Sequence, residues 1–120
     1  MPWEYSQSTG TLKHNGMQVA TGYSGKDKGK NNPTMESIPF LGPIPKGIYT
    51  IGNPRNTANR GPYVLDLTPK SHNALGRSEF LIHGDSIKNP GTASEGCIIL
   101  PRLIREKIAN SGDKLLKVVQ

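Results

Sequence analysis

A chain of 120 residues, 33% hydrophobic with 14 glycines and 10 prolines, can build one modest core but is poor material for a helical bundle. Glycine gives turns a positive φ and proline a fixed one, so the composition predicts a single mainly β domain spanning residues 1–120. The net charge of +6 favours anionic partners such as acidic proteins or a carboxylate-bearing cell wall. Outside GKDKGK at 25–30, however, the basic residues are scattered and no aromatic residues alternate with them, which argues against a nucleic-acid surface.

In chain order, WEYSQ and TLKHNGMQVATGYSG predict an opening hairpin, with Asn15-Gly16 as a two-residue turn. His14 beside it reads as a turn residue. Residues 26–37, KDKGKNNPTMES, have no apolar periodicity and read as an exposed loop. GPIPKGIYTIGNP gives a turn and the strand GIYTI; PYVLDLTP (62–69) and EFLIH (79–83) follow as strands, with Tyr49 and Phe80 in the core. One helix is expected, over PRLIREKIANSG at 101–112. Pro101 would take its first position, Leu103, Ile104 and Ile108 its apolar face, and Gly112 its stop. DKLLKVVQ returns as a last strand. The N-terminal segment is polar and no run approaches a membrane span, so the expectation is synthesis in the cytoplasm without a signal peptide and no membrane insertion.

The chemistry concentrates in HGDSIKNPGTASEGCIIL, residues 83–100, which holds the only cysteine. A lone thiol forms no internal disulfide and is either buried filler or a reactive group. A nucleophilic thiol needs a base, and histidine titrates in the right range. His83 ends a strand, and a loop made pliable by Gly84, Gly91 and Gly96 can return Cys97 to it. Gly96 leaves room for substrate and can turn backbone N–H groups toward an oxyanion. A thiol facing the helix that starts near Pro101 would be biased toward thiolate by up to about 1 kcal/mol.

The pair IHG and SEGCII resembles the signature of the L,D-transpeptidase catalytic domain, and GPIPKGIYTIGNP is similar to a strand of that family. The resemblance covers roughly residues 40–120. It implies an L,D-transpeptidase-like β-sandwich or barrel with one helix after the cysteine, Cys97 as acyl-forming nucleophile, His83 as base, and Ser94, Gly96 and Gly84 shaping the loop and oxyanion pocket. No cofactor or metal is implied. Glu95 stands where the family usually keeps a histidine, Ile99 where it keeps Arg or Asn, and the His-to-Cys span is short. This compact form looks most like the antibacterial effectors that type VI secretion systems deliver to a rival's periplasm, where they act on peptidoglycan stem peptides. Such an effector implies an immunity protein as partner.

Glu95, Asp85 and His72 are the candidate substrate contacts, with Arg77 and Lys46 as candidates for stem-peptide carboxylates; Asp85 also fits a purely loop-organising role. Two other readings compete. A zinc hydrolase would use His72, His83 and Cys97 or Asp85, without supporting ligand spacing. A non-catalytic module that binds wall or partner would treat Cys97 as filler.

Overall fold

The computed structural model describes residues 2–120. The strands are β1 (Trp3–Ser6), β2 (Thr11–His14), β3 (Met17–Thr21), β4 (Tyr23–Ser24), β5 (Gly47–Ile51), β6 (Arg55–Thr57), β7 (Gly61–Lys70), β8 (Phe80–His83), β9 (Ile98–Ile99) and β10 (Leu115–Val119). Among the described residues there is one α-helix, α1, which runs Arg102–Asn110 between β9 and β10.

The strands form one sheet in the order β3-β2-β1-β10-β5-β7-β8-β9-β4, with β6 added beside β7. β3 and β4 lie at opposite ends of that order, yet only Gly22 separates them in sequence. The sheet therefore curls until its two edges nearly meet, giving a mainly β, barrel-like body. Gly22 sits at the seam, where a Cβ would lie 2.0 Å from the Ile99 carbonyl oxygen, and its N–H donates to Gly10 O at 2.8 Å. The core inside the curl takes its alternate inward residues from nearly every strand: Tyr5, Leu12, Tyr49, Leu65, Ile82, Ile98 and Leu116 are all fully buried.

The opening hairpin forms as expected. Asn15 and Gly16 adopt φ of 54° and 79°, the geometry that joins β2 to β3 with the natural strand twist. The 26–37 loop is tied down by two short 3-10 turns, Asp27–Gly29 and Pro33–Met35. The expected strands at 47–51, 62–69 and 79–83 are β5, β7 and β8, and the last strand is β10, which pairs in parallel with β1.

The helix differs in detail. Pro101 is its N-cap, with extended backbone, and not its first turn position; its carbonyl accepts from the N–H groups of Ile104 and Arg105. Leu103 is exposed rather than part of the buried face, because that face is centred on Ile108, four residues after Ile104 and three after Arg105, and a residue five positions away turns to another side. The face that packs inward carries Ile104, Ile108 and Arg105, and Arg105 is buried.

Gly22→Ala should destabilise the fold by about 1–3 kcal/mol, because the new Cβ meets backbone on the opposite sheet edge. Gly16→Ala, with open space but a left-handed φ, should cost about 1 kcal/mol. Urea unfolding of both variants measures the difference, and equal losses would mean that the seam does not constrain the sheet.

Candidate active site

β9 pairs in parallel with β8, Ile82 opposite Ile98 and His83 opposite Ile99. Cys97 immediately precedes β9, two residues before Ile99, so the two-residue period of an extended chain puts it on the same sheet face as His83, one step diagonally away. Sequence separation is closed by strand register, and the intervening loop only has to span the return.

Hydroxyl groups fix that return. Buried Ser94 Oγ donates to Cys97 O at 2.6 Å and accepts from the N–H groups of Gly25 and Gly96 at 2.9 and 3.1 Å. Ser24 Oγ donates to Gly96 O at 3.0 Å and accepts from Ile44 N–H at 2.9 Å. Gly96 has φ of 137°, and a Cβ there would lie 2.5 Å from the Arg77 guanidinium. Its own amide donates to Ser94 Oγ, which fixes the shape of the loop. Gly91 also uses a left-handed φ, of 88°, whereas Gly84 is needed for space: a Cβ there would lie 3.2 Å from Arg105 Nη1.

Cys97 is 6% exposed, and its Sγ donates to Glu79 O at 3.7 Å. Glu79 holds φ of 65°, a conformation costly for a non-glycine residue, at the turn into β8. Burial pushes the thiol pKa up, while the Leu81 amide and the Arg60 and Arg77 charges pull against it. The lowering contacts come from β8 and nearby arginines. His83 is 2% exposed; its Nδ1–H donates to Gly84 O at 2.8 Å, and its buried Nε2 has no hydrogen-bond partner. Burial, with the positive charges of Arg60 and Arg105, holds its pKa below the usual imidazole value against the opposing Gly84 contact. Both shifts favour the neutral forms, thiol and imidazole.

The two groups open into different cavities. Cys97 lines one of about 220 Å³ with Phe40, Arg77 and Glu79. His83 lines another of about 750 Å³ with Asp85, Lys88 and Arg105. Arg60 and Glu95 line both, and Arg60 Nη2 lies 3.8 Å from Glu95 Oε1, so this exposed ion pair forms the saddle between them. Arg60, in the turn joining β6 to β7, was not among the residues the sequence singled out. Its only signal was a basic residue in the turn ANRG, which many surfaces carry.

The other candidates divide. Asp85 lines the His83 cavity while organising the loop: Oδ1 accepts from Tyr23 OH at 2.6 Å, from Ser86 N–H at 2.8 Å and from Gly91 N–H at 3.0 Å. His72 stands apart from both cavities. One ring nitrogen, Nε2, donates to Ile48 O at 2.9 Å and the other accepts from Ala74 N–H at 3.1 Å, with the ring edge-on to Tyr49. With both nitrogens engaged it cannot join His83 in a ligand set, and among the described residues no three of His, Cys, Asp and Glu come together as a metal cage. Arg77 is also engaged: its guanidinium donates to Glu36 O, Pro43 O, Gly42 O and Glu95 O, pinning the 36–43 loop to the cysteine loop. Lys46 pairs with Glu36 at 3.1 Å.

The curled sheet of this small β-domain presents a buried thiol and a tautomer-fixed histidine to adjoining cavities. The chain belongs to the Tlde1 domain family, whose family model matches residues 18–119; it is a family of type VI secretion effectors. A comparison with curated proteins finds no match. Among the described residues no helix is long and apolar enough to cross a membrane.

Two outcomes are expected at the site. Iodoacetamide alkylation of Cys97 should accelerate about tenfold per pH unit from pH 7 to 9 with no acidic plateau, because the thiol titrates above its usual value; a plateau below pH 7 would reveal a thiolate–imidazolium pair instead. Ser94→Ala leaves two buried N–H donors and one carbonyl without the hydroxyl and should cost about 2 kcal/mol or more, read by urea unfolding.

Proposed function

We propose that this chain is a cysteine L,D-carboxypeptidase and L,D-transpeptidase acting on the tetrapeptide stems of peptidoglycan, and an antibacterial toxin active in the periplasm of the target cell. The observation that carries the reading is the strand register that sets Cys97 and His83 on one face, with Nδ1–H of His83 committed to Gly84 O and Nε2 left without a hydrogen-bond partner. A base must be held in one tautomer with its accepting nitrogen free.

The chemistry runs in two steps. His83 Nε2 takes the Cys97 proton, sulfur bonds to the carbonyl carbon of the diaminopimelate residue, the C–N bond to the terminal D-alanine breaks, and the departing amine receives the proton from His83. Water then adds to the thioester, releasing the shortened stem and restoring the thiol. A free D-amino acid in place of water gives exchange, and the amine of another stem gives a cross-link. Proton transfer within a neutral pair requires no standing thiolate, in keeping with the raised thiol pKa. The Arg60–Glu95 pair supports a substrate of mixed charge: it is exposed, contributes about 0–1 kcal/mol, and offers a cation and an anion to the carboxylate and ammonium of a diaminopimelate side chain. The positive net charge suits both the anionic wall and an acidic immunity protein.

One observation favours the filler reading of Cys97, in which the protein only binds wall or partner: its thiol bonds to Glu79 O and not to His83. Incubation with diaminopimelate-type tetrapeptide muropeptides, with and without a D-amino acid, decides between them by mass spectrometry. Wild type and His72→Gln should lose or exchange terminal D-alanine, and Cys97→Ser and His83→Gln should fall by at least about a hundredfold. Unchanged muropeptides with folded, reduced wild type would sink the enzyme reading.

A further inference from the structure

The His83 cavity contains a second group that the chemistry above does not use. Arg105 is 5% exposed on α1, and neither its Nε nor its Nη1 has a hydrogen-bond partner. The other guanidiniums near the site are engaged: Arg77 by four carbonyls, Arg60 by Glu95, and Arg102 by Glu106 and the face of Tyr63. The Arg105 guanidinium packs against Gly84, the residue whose carbonyl orients His83, so the two orphaned polar groups share one wall of one cavity. A buried cation without an acceptor is costly, and the planar fork of a guanidinium matches a carboxylate with two parallel hydrogen bonds.

We propose that Arg105 is the seat of a carboxylate-binding subsite that takes the free C-terminal carboxylate of the residue being released. The identity of the ligand rests on the peptidase reading; the anion site itself rests on the orphaned guanidinium. The departing amine must collect its proton at His83 Nε2, and in a terminal amino acid the carboxylate is one carbon from that amine. A carboxylate anchor beside His83 therefore selects the last peptide bond over internal ones. It also readies the base. The charges that act on His83 are Arg105 from α1, Arg60 from the β6–β7 turn and Asp85 from its own loop, with Lys26, Lys88 and Glu95 elsewhere on the cavity wall. A docked carboxylate offsets the two arginines and makes the imidazole easier to protonate.

The test is NMR titration of the Cys97→Ala protein with N-acetyl-D-alanine and with N-acetyl-D-alaninamide. The acid should bind at least tenfold more tightly than the amide and raise the pKa of His83, while the amide leaves that pKa in place. Arg105→Met should abolish the preference with a dispersed, folded spectrum, and Arg105→Lys should retain part of it. Equal binding of acid and amide, no binding of either, or a preference that survives in Arg105→Met overturns the subsite. If Arg105→Met does not fold, the acid-to-amide comparison in the Cys97→Ala protein decides alone. No turnover enters this measurement, so binding of the acid by a protein that leaves muropeptides intact would sink the peptidase reading only. Equal turnover of a tetrapeptide and its C-terminal amide would sink the subsite only.

Discussion

The site depends on a strand of two residues. β9 contributes only Ile98 and Ile99 to the sheet, yet its parallel register against β8 is what places Cys97 on the face of His83. So short a ladder cannot hold its own register, and a slip of one residue would turn the thiol to the other face. The register is held from the side, by Ser24 and Ser94, whose hydroxyls bind both sides of the loop entering β9 and reach Gly25 and Ile44 on the neighbouring chain segments. Each is buried and each both donates and accepts, so removing either leaves several backbone groups unsatisfied together. The closed seam at Gly22 serves the same end, bringing β4, and with it Ser24, against β9.

That rigidity sets the electrostatics. Arg77 draws four carbonyls around one cation and so fixes the cysteine loop to the 36–43 loop without a carboxylate. Its charge, with that of Arg60, leans on the thiol in the direction of ionisation, but burial prevails. For His83 the burial and the arginines act in the same direction, toward the neutral ring. Stability follows with a definite sign: a histidine whose folded pKa lies below its unfolded value favours folding fully above the unfolded value and progressively less as the pH falls through the folded one.

Much of this was legible in the sequence because it was local. The Asn15-Gly16 turn, the strands at 47–51, 62–69 and 79–83, and the helix after Pro101 are announced by turn residues and by periodicity within a dozen positions. His83 and Cys97 could be paired because a strand end and a Gly-rich return restrict where the chain can go. What stayed hidden was long-range. β9 is too short to show a period, and β6 has no apolar alternation in RNT. Nothing in RLIREKIAN singles out Arg105, and only the packing of α1 on β7 and β8 shows that it is buried. His72 looked available for substrate because nothing in KSHNAL announces that Ile48 and Ala74 take both ring nitrogens.

The burial of the thiol has a chemical consequence. A buried, protonated cysteine is a poor nucleophile toward small oxidants and electrophiles, since reactivity follows the thiolate. Here the thiol's hydrogen bond to Glu79 O further occupies its proton, and the saddle of Arg60 and Glu95 lies between the cavity that holds it and the cavity that holds the imidazole. A ligand long enough to cross the saddle exchanges a weak, exposed ion pair for contacts of its own and fills both cavities at once. Reach then decides which group a molecule meets: one confined to a single cavity meets the thiol or the imidazole, and not both.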